Sequence, residues 1–255
     1  MSETILQTQD VVQRFGGLTA VNRVSMKIEK NQIVGLIGPN GAGKTTFFNV
    51  ITGVNTPTEG SVAFKGRMIT GLPAHQIVEH GIARTFQNIR LFKNMTAQEN
   101  VIAGMHSRTK STLLDCIFRT PRHRKETREC EARADELLRL VGLYEYRFDL
   151  ATSLPYGHQR RLEIARALAS DPVLLLLDEP AAGMNEQETA ELLSFICQIR
   201  DMGYTILLIE HDMKLVMSVC ENIYVLDHGE LIAQGEPEQI KNDARVIEAY
   251  LGKEA

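Results

Sequence analysis

Residues 38 to 46 read Gly38-Pro39-Asn40-Gly41-Ala42-Gly43-Lys44-Thr45-Thr46, directly after the apolar run Ile33-Val34-Gly35-Leu36-Ile37. A glycine-x4-glycine-lysine-threonine loop in this place demands a buried strand, a phosphate-wrapping turn and a helix, in that order. Glycines let successive backbone N–H groups turn inward around phosphate oxygens, and the following helix points its positive end at the same charge. Lys44 adds a point charge near the outer phosphates, and the Thr45 hydroxyl can ligate Mg²⁺. The stretch from Thr45 to Val50 reads as a buried helix, and Gly53 suits the left-handed turn after a helix end. The loop predicts a bound nucleoside triphosphate.

A second signal stands far downstream, where Val173-Leu174-Leu175-Leu176-Leu177 ends in Asp178-Glu179. So short an apolar run predicts a buried strand and not a membrane span. Open parallel sheets bind their ligands in the crevice beyond the strand ends, where these two carboxylates would lie. Asp178 is placed to hold the hydration shell of Mg²⁺, and Glu179 to orient and deprotonate an attacking water. The alternative is that the pair caps the next helix, since acidic residues favour first turns.

Length and composition set limits on the rest. A chain of 255 residues, 44% of them hydrophobic, can bury a sizeable core in one large domain or one domain with an inserted subdomain. A net charge of −4 argues against an electrostatic nucleic-acid surface over the whole protein, and no nucleic-acid partner is expected. Cys116, Cys130, Cys197 and Cys220 have no paired short spacing, so buried or inert thiols in a reducing compartment are expected in place of a zinc site or disulfide framework. The first residues lack a basic region followed by an apolar core, and no run approaches the length of a spanning helix. We therefore expect a cytoplasmic chain whose membrane role, if any, comes through partners.

Residues 3 to 30 and Ser61-Val62-Ala63-Phe64 alternate as antiparallel strands do. From Thr96 to Val141 the pattern turns helical, with Ala132, Leu137, Leu138, Leu140 and Val141 on one face until Gly142. The core then resumes with a helix from Gln159 to Leu168, the Asp178 strand, and an amphipathic helix with Leu192, Leu193, Ile196 and Ile199 on one face. Strands follow at Tyr204 to Ile209 and Asn222 to Leu226, and Asp227-His228-Gly229-Glu230 predicts a hairpin edge. Strands alternating with helices imply an α/β fold with a mainly parallel sheet, an N-terminal antiparallel β subdomain and an inserted helical subdomain. The expected division is a helical insertion at 88–158 between core segments 1–87 and 159–255.

With these motifs together, the chain resembles the ATP-binding subunits of ABC transporters over nearly its whole length. The resemblance implies that Phe15 stacks on the adenine of ATP, although an isolated Phe is more often core. It implies that Gln87, in Arg84-Thr85-Phe86-Gln87, approaches Mg²⁺ and the nucleophilic water from the loop joining the core to the insertion. Leu154-Pro155-Tyr156-Gly157-His158-Gln159 matches the signature that opens a helix toward ATP held by a partner subunit, making Tyr156, Gly157 and His158 nucleotide-binding candidates. Here Pro155 stands where a serine is usual, and it brings neither hydroxyl nor N–H. Asn185 stands where the loop after the carboxylates usually ends in aspartate. His211, after the Ile206 strand, matches the switch histidine that contacts the γ-phosphate.

Within the family, Gly81 to Asn88, the Pro155 signature and the long segment from His106 to Cys130 are most similar to the branched-chain amino acid importers. That resemblance implies ATP and Mg²⁺ as cofactors and a second ABC ATPase subunit facing this one head to tail. It also implies two transmembrane permease subunits, a periplasmic amino-acid-binding protein acting indirectly, and a place on the inner face of the cell membrane. Residues 106 to 130 hold seven Lys and Arg against three acidic residues, with Pro121 breaking the run; a solvated face or a headgroup or partner contact are both open. Phe86, Phe92 and Met95 are candidates for an apolar docking groove or for ordinary core. The rival functions are an ATPase of lipid or lipopolysaccharide export and a soluble ABC ATPase outside transport.

Overall fold

In the computed structural model, which describes residues 3–106, 115 and 120–251, the alternating N-terminal stretches form one sheet. β1 (Thr4–Phe15) and β2 (Leu18–Glu29) pair antiparallel. β3 (Ile33–Ile37) leaves this sheet and leads through the glycine loop into α1 (Lys44–Ile51). β4 (Glu59–Phe64) and β5 (Arg67–Met68) return to complete the order β2-β1-β4-β5.

The remaining strands join β3. After α2 (Ala74–His80) come β6 (Ile82–Arg84), α3 (Ala97–Gly104), α4 (Pro121–Leu140) and α5 (Tyr156–Leu168). They are followed by β7 (Leu174–Asp178), α6 (Glu186–Asp201), β8 (Thr205–Ile209), α7 (Met213–Val219) and β9 (Asn222–Asp227). β10 (Glu230–Gly235), α8 (Pro237–Lys241) and α9 (Ala244–Leu251) close the chain. The second sheet runs β10-β9-β3-β8-β7-β6 and is parallel except at β10, the antiparallel edge.

Strand periodicity divides the apolar residues between two cores. In β7, Leu175 and Leu177 face one cluster and Leu174 and Leu176 the other; in β8, Ile206 and Leu208 oppose Leu207 and Ile209. The first cluster takes the inner faces of α3 to α6, and the second fills the space between the two sheets around Phe47 and Phe48 of α1. Burial on both faces is why the central strands read as unbroken apolar runs.

Several boundaries differ from expectation for identifiable reasons. In α4 the buried face is Ala134, Leu137, Leu138 and then Val141, while Ala132 is exposed. In α6 Phe195 joins Leu192, Ile196 and Ile199 in the fully buried stripe, while Leu193 packs half-buried against the same core. Both are the i, i+3, i+4, i+7 pattern shifted to its true phase. Pro121 does not break a run but opens α4 at its first turn, capped by the Thr120 hydroxyl, as proline's fixed φ permits. Val173 and Tyr204 lie just outside their strands. α5 begins at Tyr156, three residues before the expected Gln159, and so straddles the boundary expected between 158 and 159. Cys116 and much of the basic stretch at 107–119 lie outside the described residues.

Candidate nucleotide site

The phosphate loop is shaped by close backbone approach. Gly43, the residue before α1, has φ 98°, and a Cβ there would lie 2.4 Å from the Ala20 carbonyl oxygen. A Cβ on Gly38 would lie 2.0 Å from the Leu226 carbonyl oxygen. Neither position admits a side chain. The Gly229 N–H donates to the Ala42 carbonyl at 3.0 Å and the Asn22 N–H to the Gly229 carbonyl at 2.8 Å. These bonds fix the loop to the β9–β10 hairpin and to β2. Lys44 is buried, and its Nζ donates to the carbonyls of Gly38 at 2.6 Å and Pro39 at 3.0 Å. The ammonium is thus curled back over Gly38 to Gly43. Asn40, Gly41 and Thr45 are exposed, Pro39 and Thr46 half-buried, and Ala42 is buried beneath them. The first N–H groups of a helix have no intrahelical partner, so α1 offers its donors on the same side. Phe15 ends β1 and is 49% exposed, on the hairpin whose Ala20 borders Gly43.

The carboxylates stand at the adjoining strand ends. Asp178, the last residue of β7, is buried, and its Oδ2 accepts from Arg84 Nη2 at 2.6 Å. Glu179 turns out of the strand with φ 45°, a left-handed conformation that a non-glycine residue adopts at a cost of about 1–3 kcal/mol. Its N–H donates to the Ile209 carbonyl at 2.9 Å, and its Oε2 accepts from Gln87 Nε2 at 2.7 Å. That bond leaves the side-chain oxygen Oε1 of Gln87 for another partner. His211 follows β8 by two residues with a side chain 60% exposed, its Nδ1 3.7 Å from Glu210 Oε2. The β7–β8 pairing of Asp178 with Ile209 therefore brings Asp178, Glu179 and His211 to one edge.

The donors suit Mg²⁺. The Thr45 hydroxyl, the Asp178 carboxylate and the Gln87 amide oxygen are hard oxygen ligands. Among the described residues no group of three or more His, Cys, Asp or Glu is arranged to hold a metal. One carboxylate supplemented by phosphate oxygens and water is how Mg²⁺ is usually bound with a nucleotide.

The signature residues gather elsewhere, at the start of α5. Pro155 is the cap residue, so the free donors of the first turn belong to Tyr156, Gly157 and His158, and the missing proline N–H removes none of them. No side chain caps this helix, since Pro155 has no hydroxyl to accept from its first turn. The Tyr156 hydroxyl donates to the Ala182 carbonyl at 3.0 Å, tying α5 to the loop after Glu179. Gly157 and His158 border a hollow of about 140 Å³ with Met184 and Glu188, and the His158 ring stands 5.3 Å from that of Tyr146. Asn185 caps α6, its Oδ1 accepting from the Glu188 N–H at 2.9 Å.

Comparison with known proteins agrees with this geometry. The family model described as ABC transporter matches residues 21–182, and that described as branched-chain amino acid ATP-binding cassette transporter matches residues 230–255. The chain belongs to the ABC transporter family. It is 49% identical, over 99% of its length and 100% of the relative's, to the high-affinity branched-chain amino acid transport ATP-binding protein BraF of Pseudomonas aeruginosa. It is 47% identical over the same shares to LivG of Escherichia coli K12, which carries the same description. A crystal structure of a nucleotide-free ATP-binding cassette from an ABC transporter superimposes with a TM-score of 0.85 at 32% identity, covering 97% of this chain and 98% of the other.

This ABC ATP-binding protein also contains residues that sequence reasoning passed over. Arg160 is fully buried in α5; its Nη1 donates to the Phe86 carbonyl at 2.7 Å and to Glu163 Oε2 at 2.8 Å, and its Nη2 to the Gln87 carbonyl at 2.8 Å. It clamps the glutamine loop to the signature helix. Glu210 is buried, its Oε1 accepting from the Ala181 N–H at 3.0 Å. Burial pushes the Glu210 carboxyl up, while the bonds from Ala181 and His211 and the charge of His211 pull it down. Asn100, fully buried, holds the loop before α3 by accepting from the Phe92 N–H at 2.8 Å and donating to the Phe92, Met95 and Thr96 carbonyls. That leaves Phe92 and Met95 exposed at 49% and 39%, whereas Phe86 packs beneath the Arg84 and Arg90 guanidiniums. Only Glu210, at the end of the apolar run Ile206 to Ile209, carries a local sequence signal; Arg160 and Asn100 lie among polar neighbours.

Proposed function

We propose that this chain hydrolyses ATP as one of two ATPase subunits facing each other head to tail, and that closure and opening of the pair drives import of branched-chain amino acids. The observation that carries the hydrolytic reading is the Glu179 carboxylate, held by Gln87 at 2.7 Å beside Asp178. The cargo rests on the full-length similarity to BraF and LivG and on the branched-chain match at 230–255, which also favours this reading over lipid export or a soluble role.

In this reading Lys44 and the N–H groups from Gly38 to Thr46 bind the phosphates, and Phe15 stacks on adenine. Mg²⁺ bound with the nucleotide supplies charge neutralisation on the outer phosphates; Thr45, Asp178 and Gln87 hold it. Glu179 orients the attacking water and accepts its proton, and His211 contacts the γ-phosphate. Tyr156, Gly157 and His158 serve ATP on the opposing subunit. Residues 88–158 act as a helical subdomain inserted between core segments 1–87 and 159–255. Phe92 and Met95 meet one of two permease subunits at the inner face of the cell membrane, with a periplasmic amino-acid-binding protein delivering cargo and no nucleic acid involved.

Co-purification of the tagged chain from gently solubilised membranes tests the assembly. Recovery with two different polytopic subunits and a second ATPase is expected. Recovery only with envelope-lipid export proteins, with ribosomes, or alone would overturn the reading.

A further inference from the structure

Arg84 ends β6 with a side chain 8% exposed, and its guanidinium makes a fork between two elements of the nucleotide site. Nη2 donates to Asp178 Oδ2 at 2.6 Å. Nη1 donates to Asn49 Oδ1 at 2.6 Å and Thr52 Oγ1 at 3.3 Å, both on or just beyond α1. The guanidinium carbon lies 5.5 Å from the Phe48 ring centroid and 5.2 Å from that of Phe86, so two rings restrict its movement. One planar cation thus ties the carboxylate at the end of β7 to the helix whose first turn carries Lys44 and Thr45. The same short strand-to-loop segment continues to Gln87, which holds Glu179.

From this geometry we infer that Arg84 is a positioning residue for the nucleotide's divalent cation. By occupying Oδ2 it fixes the plane of the Asp178 carboxylate and leaves Oδ1 as the single oxygen that Asp178 presents toward the cation and its waters. It also fixes the separation between Asp178 and Thr45, because the other arm of the fork is anchored on α1. A lysine could keep the charge but could not span Asn49 and Asp178 with a rigid fork. Groups that orient a metal's ligands alter its affinity by roughly 10- to 100-fold when removed.

The inference rests on the reading that Asp178 serves the cation, and the test separates the two. A fluorescent ATP analogue is titrated into purified wild type, Arg84→Gln, Arg84→Lys, Asn49→Ala and Asp178→Asn, in EDTA and across a Mg²⁺ series. In EDTA, the Arg84 and Asn49 variants are expected to bind the analogue within about twofold of wild type, because the phosphate loop is untouched. The Mg²⁺ concentration giving half of the metal-dependent gain in affinity is expected to rise by about tenfold in Arg84→Gln, with a smaller rise in Arg84→Lys. Asn49→Ala, which keeps the Asp178 pair and leaves the α1 arm only its Thr52 contact, is expected to shift it in the same direction by a smaller factor, and serves if Arg84→Gln does not fold. Wild-type Mg²⁺ dependence in the folded Arg84 and Asn49 variants, with that dependence lost in Asp178→Asn, would overturn the role of Arg84. Wild-type Mg²⁺ dependence in Asp178→Asn would overturn the reading beneath it.

Discussion

Gln87 Nε2 and Glu179 Oε2 are 2.7 Å apart, a hydrogen bond joining the loop after β6 to the left-handed residue after β7. The amide holds the carboxylate without adding charge, so in the role proposed for Glu179 its direction is set by a neutral partner. Glu179→Gln is expected to lower phosphate release roughly 100- to 10,000-fold while leaving ATP binding near wild type. Gln87→Ala removes orientation and not the base, and its loss should be smaller. Separate assays of nucleotide binding and phosphate release check both; equal losses in the two variants would remove the distinction between base and positioner.

Arg160 and Glu163 form an ion pair with side chains 0% and 1% exposed, and Arg160 also holds the carbonyls of Phe86 and Gln87. Arg160→Met would leave the buried Glu163 carboxylate with only the Arg90 N–H at 3.1 Å and the Arg166 guanidinium at 3.9 Å, and breaking a buried pair in this way costs up to about 3–5 kcal/mol. Adding Glu163→Leu should recover part of that stability, since apolar replacement of a buried pair is often neutral, less the loss of the Arg90 N–H and Arg166 contacts to Glu163. Urea unfolding midpoints of the single and double variants check this. The double variant is still expected to hydrolyse ATP slowly, because the Phe86 and Gln87 carbonyls then lose the guanidinium that holds them.

Legibility followed the type of constraint. The phosphate loop and the Asp178 strand could be read because each is a backbone requirement written locally, glycines in one case and an apolar run ending in acid in the other. The β9–β10 hairpin was legible for the same reason, since His228 and Gly229 both take positive φ in its turn. Arg84, Arg160 and Glu210 were not, because their partners lie at Asp178, Gln87 and Ala181, distant in sequence. The helix was expected from Gln159, at the end of the signature, whereas the extended backbone of Pro155 makes it the cap and Tyr156 the first helical residue. Ala132 was placed on the apolar face of α4 although it is exposed, because apolarity alone cannot fix the phase of a helix.

Two glycines of the phosphate loop separate backbone strain from steric closure. Gly41 has φ 83° with open space where a side chain would point, whereas Gly43 has φ 98° and the Ala20 carbonyl oxygen only 2.4 Å from where a methyl group would stand. Gly41→Ala should cost about 1–2 kcal/mol, as is usual for a left-handed alanine. Gly43→Ala adds a backbone collision and should cost more, by about 1–3 kcal/mol. Thermal denaturation of the nucleotide-free variants tests the order, and similar melting temperatures would show that β2 moves aside freely.

Glu210 gives the pH dependence a definite sign. Burial is the largest influence on its carboxyl and raises the pKa in the folded chain; Glu179 pushes the same way, while the Ala181 and His211 N–H groups and the His211 charge oppose it. Below the unfolded value of about 4.3, folded and unfolded chains both hold the proton and Glu210 contributes no pH dependence. As pH rises past that value the unfolded chain loses the proton first, so the folded state binds more protons and its stability falls. The fall ends once pH exceeds the raised folded-state pKa. Glu210→Gln cannot ionise and still offers an oxygen to the Ala181 N–H. Its melting temperature relative to wild type should therefore climb as pH rises above the unfolded value and level off once the raised folded-state pKa is passed. Melts of both proteins over that range provide the check, and a gap that is flat or closes with rising pH would mean that the hydrogen bonds to the ionised carboxylate outweigh its burial.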